Sequence, residues 1–364
     1  MRIAILSWRD TSHPDGGGSE VFLESVGAEL VRMGHRVTLV CARHPGARAR
    51  GPRDGIDVRR LGGRLSVYVL GLAWLVRHRR EVDVVVDVVN GLPFATPLVR
   101  RRGVVALVHH VHAEQWRIIY PDWRGRVGWF VESRVVPRLY RGRDVLTVSD
   151  ASRRDLEALG IAAERITVVR NGRVPAAPVD VPRAPTPRLS TLARLVPHKR
   201  IEHAFAVLAR LAPAHPDIHL DVIGEGWWHD PLVTAAREQG VGDRVTFHGH
   251  VSDERRDELL ARSWVMVMPS VKEGWCLAVT EAGAQATPSI AYRSAGGVTE
   301  SISDGESGLL VEDLDGLVAG VEALVDDADM RARLGAEARL KTEALTWSAC
   351  ARAVERVLVA AASR

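Results

Sequence analysis

The chain has 364 residues, of which 46% are hydrophobic and 26% are charged. One hydrophobic core rarely grows beyond about 250–300 residues, so we expect two domains of ordinary globular composition. The three cysteines are far apart and odd in number, which argues against a disulfide framework or a cysteine zinc site and favours a reducing cytoplasm. The first residues predict a short strand rather than a signal peptide, and no run of about 18 apolar residues predicts a membrane span.

The net charge of +4 conceals an uneven distribution. Residues 1–180 carry 29 arginines and 19 acidic residues, a net charge of +10, whereas residues 181–364 carry 20 basic and 26 acidic residues, a net charge of −6. A basic first half suits an anionic lipid or a phosphorylated acceptor, so we predict a cytoplasmic protein with peripheral contact with the inner face of the membrane. A general preference for arginine, which supplies 46 of the 49 basic residues, explains the charge equally well. No nucleic-acid-binding motif is recognisable, so nucleic acid is not a predicted partner.

The first half opens with a strand, a long glycine-rich loop, a helix and a second strand. The strand covers residues 3–7, the loop contains Gly16, Gly17 and Gly18, and the helix covers residues 20–33 with Ser19 as its cap. Strands and helices alternate to about residue 169, which predicts a doubly wound α/β domain. The glycines lack the spacing of a dinucleotide fingerprint, which disfavours a dehydrogenase. A glycine loop lets the backbone approach a ligand closely, although a flexible surface loop is the alternative.

Three histidines follow the strand predicted at residues 104–108. Ligands of open α/β sheets bind beyond the carboxyl ends of the strands, so His109, His110 and His112 lie where a ligand is expected. A zinc site is a weak alternative because no third protein ligand is identifiable. Residues 123–140 are aromatic and amphipathic; they suit core packing better than membrane docking.

The strand–loop–helix pattern starts again after a proline-rich segment. Residues 174–187 contain five prolines, which predicts a stiff linker and a domain boundary. The next strand, residues 188–193, leads into a loop with Arg194 and Lys199. A guanidinium fork and an ammonium at the carboxyl end of a strand suit a diphosphate.

Residues 268–288 carry two carboxylates around a predicted helix start. The loop at residues 270–274 contains Glu273, and the helix predicted at residues 277–286 contains Glu281. If both lay on one helix they would be ~12 Å apart along its axis, too far to share a proton and suitable for holding two ends of a long ligand. The helix start between them attracts phosphate. The whole arrangement suits a sugar nucleotide.

Two Asp-x-Asp pairs raise the alternative of a divalent metal. Asp313 and Asp315 precede a helix, and Asp327 and Asp329 lie in a helical region. Such pairs bind a metal and a diphosphate in some transferases. Helix caps and solvated faces explain both pairs better, so we predict no metal site.

The motifs around residues 194–200 and 273–281 resemble the signature of the family-4 retaining glycosyltransferases of the GT-B fold. Arg-Leu-x-x-x-Lys-Arg and Glu-x7-Glu, the latter after Pro-Ser and before Ala-Gly-Ala-x-x-Thr-Pro, carry the resemblance. The family usually has Gly-Phe-Gly where this chain has Gly274, Trp275 and Cys276. The resemblance implies two Rossmann-like doubly wound domains facing a central cleft: an acceptor domain at residues 1–173, the linker at 174–187 and a donor domain at 188–345. A C-terminal helix, about residues 346–364, would cross back to the first domain.

The resemblance also implies roles for single residues. Arg194, Lys199 and the N–H groups near Leu277 neutralise the leaving diphosphate, Glu273 holds the hexose and Glu281 the ribose. His109, with His110 as the second candidate, orients donor and acceptor. The implied catalytic residues are His109, Glu273, Arg194 and Lys199, and the implied donor-binding residues are Gly17, Gly18, Arg194, Lys199, Gly224, Glu225, His250, Glu273, Cys276, Leu277 and Glu281.

The implied activity is transfer of a hexose from a nucleotide-diphosphate sugar to a hydroxyl acceptor, without a metal or a further cofactor. The sequence identifies neither the base, the hexose nor the acceptor. The alternatives are a sugar-nucleotide epimerase or hydrolase of the same fold, and a non-catalytic nucleotide-sugar-binding protein.

Overall fold

The computed structural model describes residues 1–173 and 179–364. The chain divides into two compact units, Met1–Gly172 with Thr346–Arg364 and Arg173–Leu345, which we call the first and the second unit. The predicted linker at residues 174–187 lies partly outside the described residues. In its later part, the N–H of Ala184 donates to the carbonyl oxygen of Arg262 at 3.0 Å, which ties this segment to the second unit.

The strands are short and mostly buried, as expected for parallel sheets covered on both faces. They are β1 Arg2–Leu6, β2 Arg36–Cys41, β3 Arg50–Arg53, β4 Ile56–Arg60, β5 Val84–Val88, β6 Val104–Leu107, β7 Asp144–Thr147, β8 Ile166–Val168, β9 Arg188–Leu192, β10 His219–Ile223, β11 Val245–Gly249, β12 Val265–Met268, β13 Ser289–Tyr292 and β14 Gly308–Val311.

The helices alternate with these strands. They are α1 Gly18–Arg32, α2 Ser66–Arg77, α3 Ala113–Ile119, α4 Trp123–Phe130, α5 Val136–Leu139, α6 Asp150–Ala158, α7 Glu202–Leu211, α8 His229–Glu238, α9 Asp253–Arg262, α10 Leu277–Ala284, α11 Val298–Ser301, α12 Leu314–Asp326, α13 Ala328–Glu343 and α14 Trp347–Ala362. A π-helical stretch, Val131–Val135, joins α4 to α5. Within the described residues, no helix combines the length and the apolar character that crossing a membrane requires.

The first unit is built on an eight-stranded sheet with the order β3-β4-β2-β1-β5-β6-β7-β8. All pairs are parallel except β3 with β4. The sequence did not predict β3, because Gly51 and Pro52 within it are poor strand formers that are tolerated at a sheet edge. The order reverses between β1 and β5, so the loops after these two strands flank the switch point of this sheet.

The second unit is built on a six-stranded parallel sheet with the order β11-β10-β9-β12-β13-β14. Its core contains fully buried aliphatic and aromatic side chains from α7, such as Phe205 and Leu208, packed against the strands. The order reverses between β9 and β12. The predicted pair of doubly wound α/β domains is therefore confirmed.

The structure confirms some of the helix caps predicted from the sequence and corrects one of them. Asp313 and Asp327 accept hydrogen bonds from the N–H groups of Gly316 and Met330, so both are helix caps, as predicted. The predicted Ser19 cap is wrong: α1 begins at Gly18 with Gly17 as the N-cap, because the Glu20 carboxylate accepts the Gly17 N–H at 2.8 Å.

The last helix, α14, packs in the first unit. The side chain of Thr346 accepts from the N–H of Ala349 and caps the helix, and the ring of Trp347 meets the ring of Phe22 at 5.9 Å. Leu358 is completely buried. Gly172 passes so close to the start of α14 that a Cβ on it would lie 2.3 Å from the backbone nitrogen of Trp347. Only glycine therefore fits at this position.

Candidate active site

In the second unit, the loops after β9 and β12 meet at the switch point of the sheet. Ligands of open α/β sheets bind in the crevice beyond this point, outside the carboxyl ends of the strands. The loop after β9 carries Arg194 and Lys199, and the loop after β12 carries Glu273. The topology alone therefore brings these predicted residues to one edge of the sheet.

An ion pair joins the two loops. The Nζ of Lys199 donates to Oε1 of Glu273 at 2.5 Å, although the residues are 74 positions apart. The side chains are only 17% and 10% exposed, so the pair is weakly screened by solvent. The N–H of Val271 also donates to the carbonyl oxygen of His198 at 2.9 Å. A cation and a carboxylate are thus held side by side where a ligand is expected.

The backbone of Glu273 is fixed on both sides. Its N–H donates to the carbonyl oxygen of Ala295 at 2.8 Å, and its own carbonyl oxygen accepts the N–H of Gly297 at 3.0 Å. Between these partners, Gly296 has a φ of 75°, which favours glycine. The position of the Glu273 carboxylate is therefore set by the fold of the loop and by Lys199 together.

Cys276 occupies the place where the resembling family usually has glycine. It is the N-cap of α10 and has a φ of 75° and a ψ of 80°, a left-handed conformation that side chains rarely adopt. Burial raises the pKa of its thiol, so the side chain is an uncharged thiol at neutral pH. The chain thus keeps the backbone conformation of a glycine, and α10 begins at Leu277 with its N-terminal dipole directed towards this loop.

Glu281 lies in the second turn of α10, but Glu273 lies in the loop before that helix. The ~12 Å separation expected for two residues on one helix therefore does not apply. Arg256 of α9 lies 3.3 Å from Oε1 of Glu281 and also pairs with Asp253 and Asp257. Burial raises the pKa of the Glu281 carboxyl, and the Arg256 charge opposes this rise. Sequence reasoning missed Arg256, because nothing in its spacing points to Glu281.

The loops after β10 and β11 line the same edge. A Cβ at Gly224 would lie 2.1 Å from the carbonyl oxygen of Ala193, so only glycine allows this close contact. The N–H of Leu195 donates to the carbonyl oxygen of Glu225 at 2.8 Å, and the N–H of Gly224 donates to Gly249. These bonds hold Glu225 and the end of β11 next to the loop that carries Arg194. The side chain of Arg194 is half-buried. His250 follows β11 and is exposed.

In the first unit, the glycine-rich loop is held by a buried carboxylate. Glu20 accepts hydrogen bonds from the N–H of Gly17 at 2.8 Å, the hydroxyl of Ser19 at 2.7 Å and Nε of Arg9 at 3.2 Å. Gly18 then starts α1. The loop predicted from its glycines is therefore ordered by Glu20 and Arg9, two residues that the sequence did not single out.

His109 lies next to this loop. Its ring packs edge-on against Phe22 of α1 at 5.2 Å, and its carbonyl oxygen accepts the hydroxyl of Ser152. Burial lowers the pKa of His109 to about 4, so the imidazole is neutral at pH 7. Among the described residues, its Nε2 is buried without a hydrogen-bond partner. Unsatisfied buried polar atoms are rare and often occur at functional positions.

His112 is engaged in a network of its own. Its Nδ1 donates to Oε1 of Glu132 at 2.8 Å, and its Nε2 lies 2.9 Å from Oδ1 of Asn90. The same buried Glu132 accepts from Nε1 of Trp116 at 2.8 Å and stands in the π-helical stretch, a feature frequent at functional sites. In the part of the chain that the structure describes, no three His, Cys, Asp or Glu side chains group as metal ligands. Sequence reasoning missed Glu132.

Two family models match the chain. One, described as Glycosyltransferase Family 4, matches residues 16–177, and the other, described as Glycosyl transferases group 1, matches residues 182–341. The chain belongs to the family-4 glycosyltransferases. The resemblance deduced from residues 194–200 and 273–281 is thereby confirmed.

This family-4 glycosyltransferase has relatives with assigned names. It is 34% identical to the glycogen synthase of Mycobacterium tuberculosis over 232 residues, which cover 61% of this chain and only 56% of that enzyme. It is 28% identical to the MMP alpha-(1->4)-mannosyltransferase of Mycolicibacterium hassiacum, with 96% of both chains covered. Anabaena Alr3699/HepE, solved in complex with UDP and glucose, shares the fold with a TM-score of 0.79 at 19% identity, covering 99% of this chain and all of that one. The fold class is accordingly GT-B.

Proposed function

We propose that this glycosyltransferase moves a hexose from a nucleotide-diphosphate sugar to a hydroxyl acceptor, with retention of configuration and without a metal. The acceptor class is a glycolipid, a polysaccharide precursor or a small-molecule glycoside. The observation that carries the proposal is the Lys199–Glu273 pair at the switch point of the second unit. A donor bound there meets a cation for its diphosphate and a carboxylate for its sugar hydroxyls.

The second unit supplies the electrostatic part of the reaction. When the bond from the sugar carbon to the diphosphate breaks, negative charge develops on the leaving oxygen. Arg194, Lys199 and the N-terminus of α10 stabilise that charge, which lowers the barrier of the step. Glu273 accepts hydrogen bonds from the hexose, and Glu281, whose charge Arg256 supports, accepts them from the ribose.

The first unit supplies the acceptor side. As a neutral imidazole, His109 offers one donor and one acceptor, so it orients hydroxyl groups without adding a positive charge. The acceptor oxygen forms the new bond to the sugar carbon, and its proton passes to the leaving diphosphate on the same face. Three free and buried cysteines support a reducing cytoplasm as the compartment. The basic first unit makes peripheral contact with an anionic membrane.

The relatives support a sugar-nucleotide donor but differ in the sugar they imply. The named mannosyltransferase implies mannose, and the Alr3699/HepE complex contains UDP and glucose. A screen of the purified protein against UDP-, GDP-, ADP- and TDP-sugars by thermal shift therefore decides the base. A ligand at a hundredfold excess over its dissociation constant stabilises a protein by about 2.7 kcal/mol, which is readily detected.

The Lys199→Ala variant tests the assignment of the site. We expect donor affinity and transfer rate to fall together by a factor of about 100, because a charge-assisted contact of roughly 3 kcal/mol to the diphosphate is lost. Lys341→Ala, in α13, is the control and should bind the donor like the wild type. Wild-type transfer with unchanged donor affinity in Lys199→Ala would contradict the proposal.

Two further measurements separate the alternatives. Consumption of the donor without any acceptor indicates an epimerase or hydrolase, and donor binding without turnover on any acceptor indicates a non-catalytic protein. If transfer continues in the presence of a chelator, the metal-independent mechanism is supported. If a chelator abolishes transfer and Mg²⁺ restores it, that mechanism is contradicted.

A further inference from the structure

Helix α4 turns three of its four large apolar side chains outward, and the fourth, Trp129, is half-buried against the core. Trp123, Val127 and Phe130 are 61%, 50% and 60% exposed. Their spacing of four and three residues places them on one stripe of the helix. The expectation that the aromatic residues of this segment pack in the core is therefore correct for Trp129, which packs against the core, and wrong for Trp123 and Phe130.

Two glycines explain why this stripe faces outward. Gly125 and Gly128 occupy the opposite, buried face of α4. A Cβ at Gly125 would lie 2.1 Å from the carbonyl oxygen of Tyr120, and one at Gly128 would lie 2.4 Å from the ring of Trp116. The helix packs so closely on α3 that no larger side chain fits at these two positions. The stripe of Trp123, Val127 and Phe130 is thus left on the outer side of α4.

Helix α2 carries a second exposed apolar stripe. Leu65, at its N-cap, and Val69 are each 71% exposed, and Val76 further along is 44% exposed. Gly71 faces inward, where a Cβ would lie 2.9 Å from the ring of Phe94.

A hydrogen bond joins the two segments that precede these helices. Nη2 of Arg64, just before α2, donates to the hydroxyl of Tyr120, at the end of α3, at 2.7 Å. We call the exposed apolar residues of both helices the outer helix face; they are Leu65, Val69, Leu70, Val76, Trp123, Val127 and Phe130.

Exposed arginines outnumber exposed carboxylates in the segments that carry the outer helix face. Along residues 64–81 and 113–134, the exposed acidic residues are Glu81, Glu114 and Asp122, whereas the exposed basic residues are Arg64, Arg77, Arg79, Arg80, Arg117, Arg124, Arg126 and Arg134. On α4 the flanking residues Arg124 and Arg126 lie on either side of the apolar stripe. A second copy of this face would bring arginines against arginines, which opposes a symmetric dimer.

We propose that the outer helix face docks on an anionic lipid bilayer. Apolar side chains that include Trp and Phe, bordered by arginines, match the boundary between headgroups and acyl chains, where aromatic rings enter and guanidinium groups contact phosphates. This proposal deepens the membrane contact included in the proposed function and assigns it to particular residues. It does not depend on the chemistry at Lys199 and Glu273.

Vesicle sedimentation with the full chain tests the docking. The probes are vesicles of phosphatidylcholine alone and of phosphatidylcholine with phosphatidylglycerol. We expect the wild type to bind the anionic vesicles, to bind neutral vesicles much less and to dissociate at high salt. The double variant Trp123→Ser with Phe130→Ser should bind about tenfold or more weakly, because two aromatic side chains no longer enter the bilayer.

Matched variants in the second unit are the controls. Leu340→Ser removes an apolar side chain of similar exposure, 58%, and should bind like the wild type. Arg124→Gln with Arg126→Gln should lose the preference for anionic vesicles, whereas Arg237→Gln with Arg262→Gln, two exposed arginines of the second unit, should keep it.

Three results would overturn the proposal: no binding of the wild type to anionic vesicles, equal binding of the Trp123/Phe130 variant, or a wild-type dimer that this variant disrupts. The melting temperature and the thermal shift with a donor are measured on the same variant. Because both substituted residues are exposed and lie in the first unit, neither value should change. Donor binding that is retained while vesicle binding is lost separates a failure of docking from a failure of the proposed function.

Discussion

At the scale of single residues, His109 links burial to acid sensitivity. Its pKa is about 4 in the folded chain, because burial disfavours the imidazolium, whereas an unfolded chain has a histidine pKa of about 6.5. The lower pKa in the folded state means that the unfolded state binds the proton first as the pH falls. The neutral histidine therefore costs no stability above pH 6.5 and opposes folding increasingly between pH 6.5 and 4.

Because of this histidine, we expect the free energy of unfolding to be about 2 kcal/mol lower at pH 5 than at pH 7. Denaturant titrations of the wild type and of His109→Gln at both pH values measure the effect. The variant should lose less stability on acidification than the wild type. An equal loss in the two proteins would show that His109 is not buried as a neutral imidazole.

Cys276 shows that residue type alone does not determine a backbone conformation. The sequence identifies a departure from the glycine that the resembling family usually has at this position. The structure retains the left-handed backbone and packs the side chain in the cluster that contains Met268 and Val279. A left-handed backbone is unfavourable for cysteine, so residue type and local pattern could not predict it.

At the scale of elements, the segment from α3 to α5 depends on one carboxylate. Glu132 accepts hydrogen bonds from the ring and the backbone N–H of His112 and from the indole of Trp116. It thereby fixes the loop after β6 to the π-helical stretch.

Glu132→Gln should lower the free energy of unfolding by roughly 2 kcal/mol, because an acceptor that serves several donors becomes an uncharged amide that cannot satisfy all of them. Chemical denaturation measures this loss. Glu114→Gln, at an exposed position of α3, is the control and should change stability by less than about 0.5 kcal/mol. Equal stability of the two variants would show that the hydrogen bonds accepted by Glu132 do not contribute to the stability of the protein.

The same segment shows what periodicity can and cannot predict. The apolar stripe of α4 was identifiable from the spacing of its large side chains. Which face of the helix points inward was not, because the decision lies with Gly125 and Gly128 and their close contacts with α3. By contrast, the loops with Arg194, Lys199 and Glu273 were predictable, because strand–loop–helix patterns and charge types mark them. Their direct contact depends on the sheet order, which local patterns do not contain.

At the scale of the whole molecule, α14 completes the hydrophobic core of the first unit. Its Val354 and Leu358 line a small apolar space with Ile3, Ile5 and Leu146 of the sheet. The end of the chain is therefore part of the same core as β1.

Leu358→Ala should destabilise the first unit by about 2–5 kcal/mol, because it removes a fully buried side chain and leaves a cavity. Val359→Ala is the control: its side chain is 46% exposed, and the loss should be below about 1 kcal/mol. Thermal melts of both variants test the difference. A similar melting temperature for the two would show that α14 is not a structural part of the first unit.

The packing of α14 also sets an order of events during synthesis on the ribosome. Domains generally fold as units from the N-terminus while the chain is still growing. The first unit emerges first, but the apolar side chains on β1 and α1 that α14 covers stay uncovered until Thr346–Arg364 have been made. The second unit, Arg173–Leu345, is contiguous and needs no later residue. Of the two units, the one whose synthesis starts earlier is thus completed later, and its nascent form depends longer on protection from aggregation.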